Sequence, residues 1–426
     1  MASTKIFEQL ESKVRSYCRD IPALFTKAVG HTLIDEKGNS YIDFLAGAGA
    51  LNYGHNNPEL KARLIAYLQS DGITHSLDLY TEAKRAFIQE LKDVILVPRN
   101  LDYRVQFTGP TGANAVEAAL KLARRATGRP NIIAFTNSFH GMSLGALSVS
   151  SARQKRSGAG LPFSAVDRVP FDGYFGIGDT LAYVETLLND PGSGIDPPAA
   201  FIVETLQAEG GLNLAGIDWL RRLEDLAHRH SALLIVDEIQ TGCGRTGPFF
   251  SFERAGLKPD IVCLAKSIGG FGLPLALLLL RPEIDVWEPG QHNGTFRGNN
   301  LAFVAGAGAL GFWREPAFEQ EVQRKATLVR ERLSAIANIR ASSSAEVRGL
   351  GMLQGVAWRD HGFARRVAQR AFRAGVVVET CGARGEVLKI MPPLTITEAA
   401  LADGLDRIAD AVETEASGRL LRAAVF

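Results

Sequence analysis

Between about Leu101 and Leu280 the sequence predicts an α/β fold organised on one mostly parallel sheet. Short apolar runs alternate there with amphipathic stretches, and strand–helix alternation of this kind favours parallel strands. The runs are apolar on both faces, as expected of strands covered by helices on each side. The two chain ends read differently, with a hairpin signal at one and mixed short elements at the other. Together they predict a second, smaller α+β domain.

The strand candidates, in order, are Arg104–Thr108, Asn131–Thr136, Ala199–Glu204, Ala232–Val236, Ile261–Leu264 and Leu275–Leu280. Helices are expected at Ala113–Ala126 and at Trp219–His228, where Trp219, Leu220, Leu223 and Leu226 share one face. Near the N-terminus, residues 30–45 place a DEKGN turn between apolar strands, a hairpin signal. After Asn300 a helix is expected from Pro316, with Phe318, Val322, Val329, Leu333 and Ile336 near helical spacing. The resulting division is 1–55 for the N-terminal part of the small domain, 56–310 for the large domain and 311–426 for the C-terminal part of the small domain. No Gly/Ser-rich linker marks these boundaries.

Composition narrows the function. With 46% hydrophobic and 22% charged residues the chain falls in the ordinary globular range rather than the disordered one. A formal net charge of +1, with no long run of either sign, gives no electrostatic basis for binding nucleic acid or an anionic membrane. The four cysteines, Cys18, Cys243, Cys263 and Cys381, form no CxxC pair, which argues against a zinc site or a disulfide framework and favours a reducing compartment. Met1 to Glu11 lacks the apolar core of a signal peptide, and Leu273–Leu280 is too short to span a bilayer. A soluble, cytoplasmic protein without a metal is expected.

In open α/β sheets ligands bind beyond the carboxyl ends of the strands. Two residues stand out there. ALLIVDEIQ puts Asp237 directly after a buried run, and IVCLAKSIGGFG puts Lys266 just past another, before a Gly-rich stretch. Taken singly, a lysine there is commonly a surfacing side chain and an acid a helix cap. As a pair they match what pyridoxal-5′-phosphate (PLP) chemistry needs: a lysine for a Schiff base and an acid for the pyridinium nitrogen. FTGPTGANAVEAALKLARRA runs from a strand through a turn into a helix, whose first turn offers the N–H groups of Gly112 and Ala113 to a phosphate. The plain alternative is a loop with Thr111 as N-cap. In FHG, Phe139 is either a ring-stacking aromatic or a core residue. In NGTFRGNN, Thr295 is either a hydroxyl donor or part of a turn.

VDEIQTGCGRTG, the lysine of LAKSIGGFGLPLA, GTFRGNN, VETLQAEGG and TGANAVEAALKLAR together resemble the class III aminotransferases of PLP fold-type I, over nearly the whole chain and in the expected order. The resemblance implies that Lys266 carries the cofactor, Asp237 pairs with the ring nitrogen and Gln240 contacts the ring hydroxyl. It also implies that Gly112 and Ala113 bind the phosphate and that Phe139 stacks on the ring. Thr295 would reach the neighbouring subunit's cofactor, making a homodimer, alone or paired into a dimer of dimers, obligatory. Within the class, VRSYCRDIP, AGAGALNYGHNNPEL, THSLDLY, FDGYFG and PLTITEAAL look similar to diaminobutyrate–2-oxoglutarate aminotransferases of ectoine biosynthesis. Such enzymes pass an amino group between L-glutamate/2-oxoglutarate and L-aspartate 4-semialdehyde/L-2,4-diaminobutyrate. The alternatives are another ω-aminotransferase or a PLP aminomutase.

Two departures from the class pattern matter. Asn114 stands where an acid is usual in the phosphate turn. Lys389, in KIMPPL, stands where many class III enzymes carry an arginine paired with the glutamate that is Glu209 here. Glu209 and Lys389 are therefore the candidate pair that adapts one site to two substrates, with a point charge in place of a bidentate fork.

Overall fold

The computed structural model describes residues 4–339 and 345–423, so Met1–Ser3 of the N-terminal stretch read above lie outside it. Its centre is a seven-stranded sheet in the order Arg104–Phe107, Leu277–Leu280, Ile261–Leu264, Leu233–Asp237, Pro198–Val203, Asn131–Phe135, Val166–Val169. Only Leu277–Leu280 runs against its neighbours; the other pairings are parallel. The four central strands bury every residue except Leu233 at the start of one of them, which is why they read as unbroken apolar runs. The sequence reading misses the edge strand Val166–Val169. Its VDRV places Asp and Arg in the middle of a half-buried edge, so no apolar run announces it.

The helix Gly112–Thr127 packs an alanine- and leucine-rich face on this sheet, burying Val116, Leu120 and Leu122 among others. Thr111 caps it: the hydroxyl accepts from the Asn114 N–H while the Asn114 side chain reaches back to the Thr111 N–H. Thus the substitution at Asn114 preserves a reciprocal cap. Gly128 closes the helix in the left-handed region at φ 69°, where a side chain would be strained.

The chain ends combine as a smaller α+β unit. Phe25–Val29, Thr32–Asp35 and Ser40–Asp43 form an antiparallel meander, and Val376–Val377 adds to Ser40–Asp43 in parallel. The DEKGN turn is held by Asp35, whose Oδ1 accepts from the N–H groups of Lys37 and Asn39 at 2.9 Å each. A second sheet orders Ala345–Leu350, Leu353–Trp358, Val387–Ile390 and Glu379–Cys381. The helix Pro316–Ala337 follows the large sheet and buries Val322, Val329, Leu333 and Ile336. A fully buried Arg245 ties the units together, donating to Asn52, to the Met352 carbonyl at 3.2 Å and to the Pro392 carbonyl. Among the described residues no helix is long and apolar enough to cross a membrane, and no cluster of His, Cys, Asp and Glu could hold a metal ion.

Candidate active site

The carboxyl ends of the parallel strands converge on one cavity. Lys266, Asp237, Gly112, Ala113, Phe139, Gln240 and Glu209 all line it. Seven of the nine residues singled out from sequence are thus brought together. Lys389 is buried just behind the wall, and Thr295 lies apart on an exposed loop.

Asp237 is the last residue of its strand and 4% exposed. Its Oδ2 lies 2.7 Å from His140 Nδ1, and its Oδ1 accepts from the Ile239 N–H at 3.0 Å. The carboxylate is therefore fixed from two sides before any ligand arrives. The second ring nitrogen of His140, Nε2, is buried without a hydrogen-bond partner. Burial opposes a charged His140, but the bond to Asp237 and the charges of Asp237 and Glu204 outweigh it, so its pKa is raised.

Lys266 follows the strand Ile261–Leu264 with its backbone at φ 55°, in the left-handed region uncommon for a side-chain-bearing residue. Burial draws its amine below the ordinary lysine value, against the raising effect of Glu209. The helix Gly112–Thr127 opens toward the same cavity. The N–H groups of its first turn, Gly112 and Ala113, have no intrahelical acceptor by geometry, and the helix dipole favours an anion there. A Cβ at Gly112 would meet the Ile239 side chain at 3.0 Å, so that side chain would have to give way. Phe139 donates its N–H to Glu204 Oε2 at 2.9 Å, and Lys155 Nζ sits 3.9 Å from its ring centroid. Burial pushes the Glu204 carboxyl up to about 7. Gln240 is anchored by donating to the Ala48 carbonyl at 2.9 Å, which brings the N-terminal segment to the rim.

Glu209 accepts from Lys389 Nζ at 2.6 Å, while Gln240 Oε1 lies 3.5 Å from the same amine. Burial disfavours the Glu209 charge, but Lys389 outweighs it and holds the carboxyl well below its usual range. Sequence reasoning passed over a further acid, Glu379, whose Oε1 is 2.8 Å from Lys389 Nζ. It also passes over His140, although FHG contains it, and Lys155 and Glu204.

A sequence model described as aminotransferase class-III matches residues 15–412. The chain belongs to that family. Among class III relatives, a diaminobutyrate–2-oxoglutarate transaminase of Bordetella parapertussis is 54% identical over 418 residues, covering 96% of each chain. One from Halalkalibacterium halodurans is 53% identical over 409 residues, again covering 96% of each. The ornithine aminotransferase of Toxoplasma gondii, solved with partial occupancy of PLP at its active site, superposes with a TM-score of 0.84 at 28% identity. That match covers 97% of this chain and 94% of the other. The large mostly parallel sheet with a smaller α+β unit is the fold-type I architecture of these aminotransferases.

The residues present suit PLP. The cavity offers an amine of lowered pKa, a fixed carboxylate for a ring nitrogen, a helix N-terminus for a phosphate and an aromatic side chain beside them.

Proposed function

We propose that this protein is a PLP-dependent diaminobutyrate–2-oxoglutarate aminotransferase, moving an amino group between L-glutamate/2-oxoglutarate and L-aspartate 4-semialdehyde/L-2,4-diaminobutyrate. The observation that carries the reading is the meeting of Lys266, Asp237 and the Gly112–Ala113 helix start in one cavity, in a chain more than half identical to transaminases of that name over nearly its full length. PLP, when bound, would supply an electron sink that makes a substrate C–H proton removable. Lys266 Nζ would hold the cofactor, and its amine is the group placed to take up and return that proton. Asp237, kept in place by His140 and the Ile239 N–H, keeps the ring nitrogen protonated by its charge. Gly112 and Ala113 would hold the phosphate, Phe139 would pack on the ring, and Gln240 would hold the ring hydroxyl. Glu209 and Lys389 set the charge that the cavity shows to each substrate.

The finer assignments belong to the same proposal. The chain divides at 1–55, 56–310 and 311–426, a division supported by the pairing of Val376–Val377 with the N-terminal meander. It works as a homodimer in which Thr295 reaches the partner's phosphate site. Supporting this, the loops around residues 73–80 and 293–299 are tied by Ser76 to Asn300 at 2.9 Å and by His75 to Phe296, and they expose Ile73, Leu77, Leu79, Tyr80 and Phe296. A cytoplasmic location is supported by four free cysteines, and a place in ectoine biosynthesis by the substrate pair.

The test is a donor screen with the PLP-loaded enzyme, following glutamate formed from 2-oxoglutarate. Diaminobutyrate should be the best donor among diamines and ω-amino acids. If ornithine or a simple ω-amine outruns it, the protein is another ω-aminotransferase. Isomerised amino acid without glutamate would indicate an aminomutase.

A further inference from the structure

Beyond Glu209 the cavity continues into a second one, lined also by Tyr17, Lys155, Arg365, Gln369, Glu379 and Thr380. At the junction one ammonium faces two carboxylates. Lys389 Nζ, fully buried, lies 2.6 Å from Glu209 Oε1 and 2.8 Å from Glu379 Oε1. Glu379 and Lys389 are direct register partners on antiparallel strands, so backbone pairing holds them side by side. The Gly382 N–H, just past that strand, donates to the Glu209 carbonyl at 3.0 Å and pins the loop that carries the other acid. Glu379 Oε1 is buried and meets Lys389 as an ion pair, with no further donor among the described residues. Burial, with the charge of Glu209, raises the Glu379 pKa against the lowering pull of Lys389; once both acids are ionised the trio carries one uncompensated negative charge. Tyr17 lines the same cavity, and its hydroxyl is pushed up to about 12 by burial and by the charges of Glu379 and Glu209.

The substrates differ in what they bring to this place. When diaminobutyrate reacts at its terminal amine, a second ammonium stands two carbons further along. Glutamate, reacting at its α-carbon, has no second ammonium. We infer that Glu379, together with Glu209, forms an anionic subsite for the second ammonium group of the diamine, while Lys389 neutralises one of the two acids. The inference rests on the diaminobutyrate reading and adds a specificity residue to it. It also changes how the site accommodates glutamate. If Glu209 turns away, Lys389 stays paired with Glu379, and the junction passes from one negative charge to none. No free cation is released. The carboxylate common to both substrates is left to the cations of the outer cavity, Lys155 and Arg365, the latter already 2.9 Å from Asp20.

The decisive comparison is between 2,4-diaminobutyrate and 4-aminobutyrate, which share the reacting amine and the carboxylate and differ only in the second ammonium. In Glu379→Gln the ratio of kcat/KM for these two donors should fall roughly 10- to 100-fold, the loss expected of one hydrogen bond to a charged group. The half-reaction with glutamate should keep its rate or gain. Removing both members, Glu379→Gln with Lys389→Met, leaves Glu209 as the sole charge and should restore the preference. An unchanged ratio in the single variant, or equal losses with glutamate and diaminobutyrate, overturns the subsite. So does a double variant that lacks the preference, which also decides the matter if the single variant does not fold. A wild-type enzyme inactive on diaminobutyrate defeats the substrate reading instead. In that case the same ratio, taken with ornithine and 5-aminopentanoate, tests the subsite independently.

Discussion

Lys266 combines two costs that an ordinary surface lysine avoids. Its backbone sits at φ 55°, and its amine is held in a cavity where charge is disfavoured. Both act in one direction. The backbone turn falls just past the strand, where Lys266 lines the cavity, and burial leaves the amine uncharged at a lower pH than in water. The sign is definite: a lowered lysine pKa means the nucleophilic form appears earlier as pH rises. The apoenzyme should therefore recombine with PLP at a rate that rises with pH, with a midpoint below the roughly 10.4 of a free lysine. Absorbance followed after mixing apoenzyme with cofactor measures this. A midpoint at or above that of a free lysine would mean that Glu209 and its neighbours outweigh burial.

At the scale of the element, the strand Leu233–Asp237 leads into two consecutive acids with different tasks. Asp237 faces the cavity, whereas Glu238 turns inward and takes four donors. Its Oε1 accepts from Ser251 Oγ at 2.6 Å and the Phe252 N–H at 3.1 Å; its Oε2 accepts from Thr241 Oγ1 and the Ser251 N–H, both at 3.1 Å. That carboxylate stitches the loop 241–252 to the strand end that positions Asp237. Glu238→Ala would leave two buried backbone N–H groups without acceptors, at about 1–3 kcal/mol each, so a loss of roughly 2–6 kcal/mol is expected. Urea unfolding of the variant checks it, and a loss below 1 kcal/mol would show that water fills the gap. Elements of this kind were legible in the sequence to different degrees. The buried strands were plain because covered strands are apolar on both faces, and Asp237 and Lys266 stood out as charges at their ends. Val166–Val169 was hidden by its polar middle. Glu379 was hidden for another reason: its contact with Lys389 depends on strand register, which spacing along the chain does not reveal.

For the whole molecule, the exposed apolar loops decide whether the cavity is complete in one chain. Tyr80 is fully exposed and Phe296 is 67% exposed, next to the loop that carries Thr295. Tyr80→Glu with Leu79→Glu should shift the enzyme to monomers on sedimentation and abolish turnover. Thr295→Ala should weaken PLP retention by roughly 1.5–3 kcal/mol without separating the subunits, the amount expected for one hydrogen bond to a charged group. A PLP-saturated, active monomer would refute the shared site. The small sheet has a consequence of another kind. Ser40–Asp43 finds its parallel partner, Val376–Val377, more than 300 residues further along the chain. At translation rates of about 5–20 residues per second, the N-terminal meander waits on the order of 20–70 s outside the ribosome with one edge unpaired. A segment made early is thus among the last completed, and the nascent chain spends that interval with an open strand edge that other chains, or a chaperone, can reach.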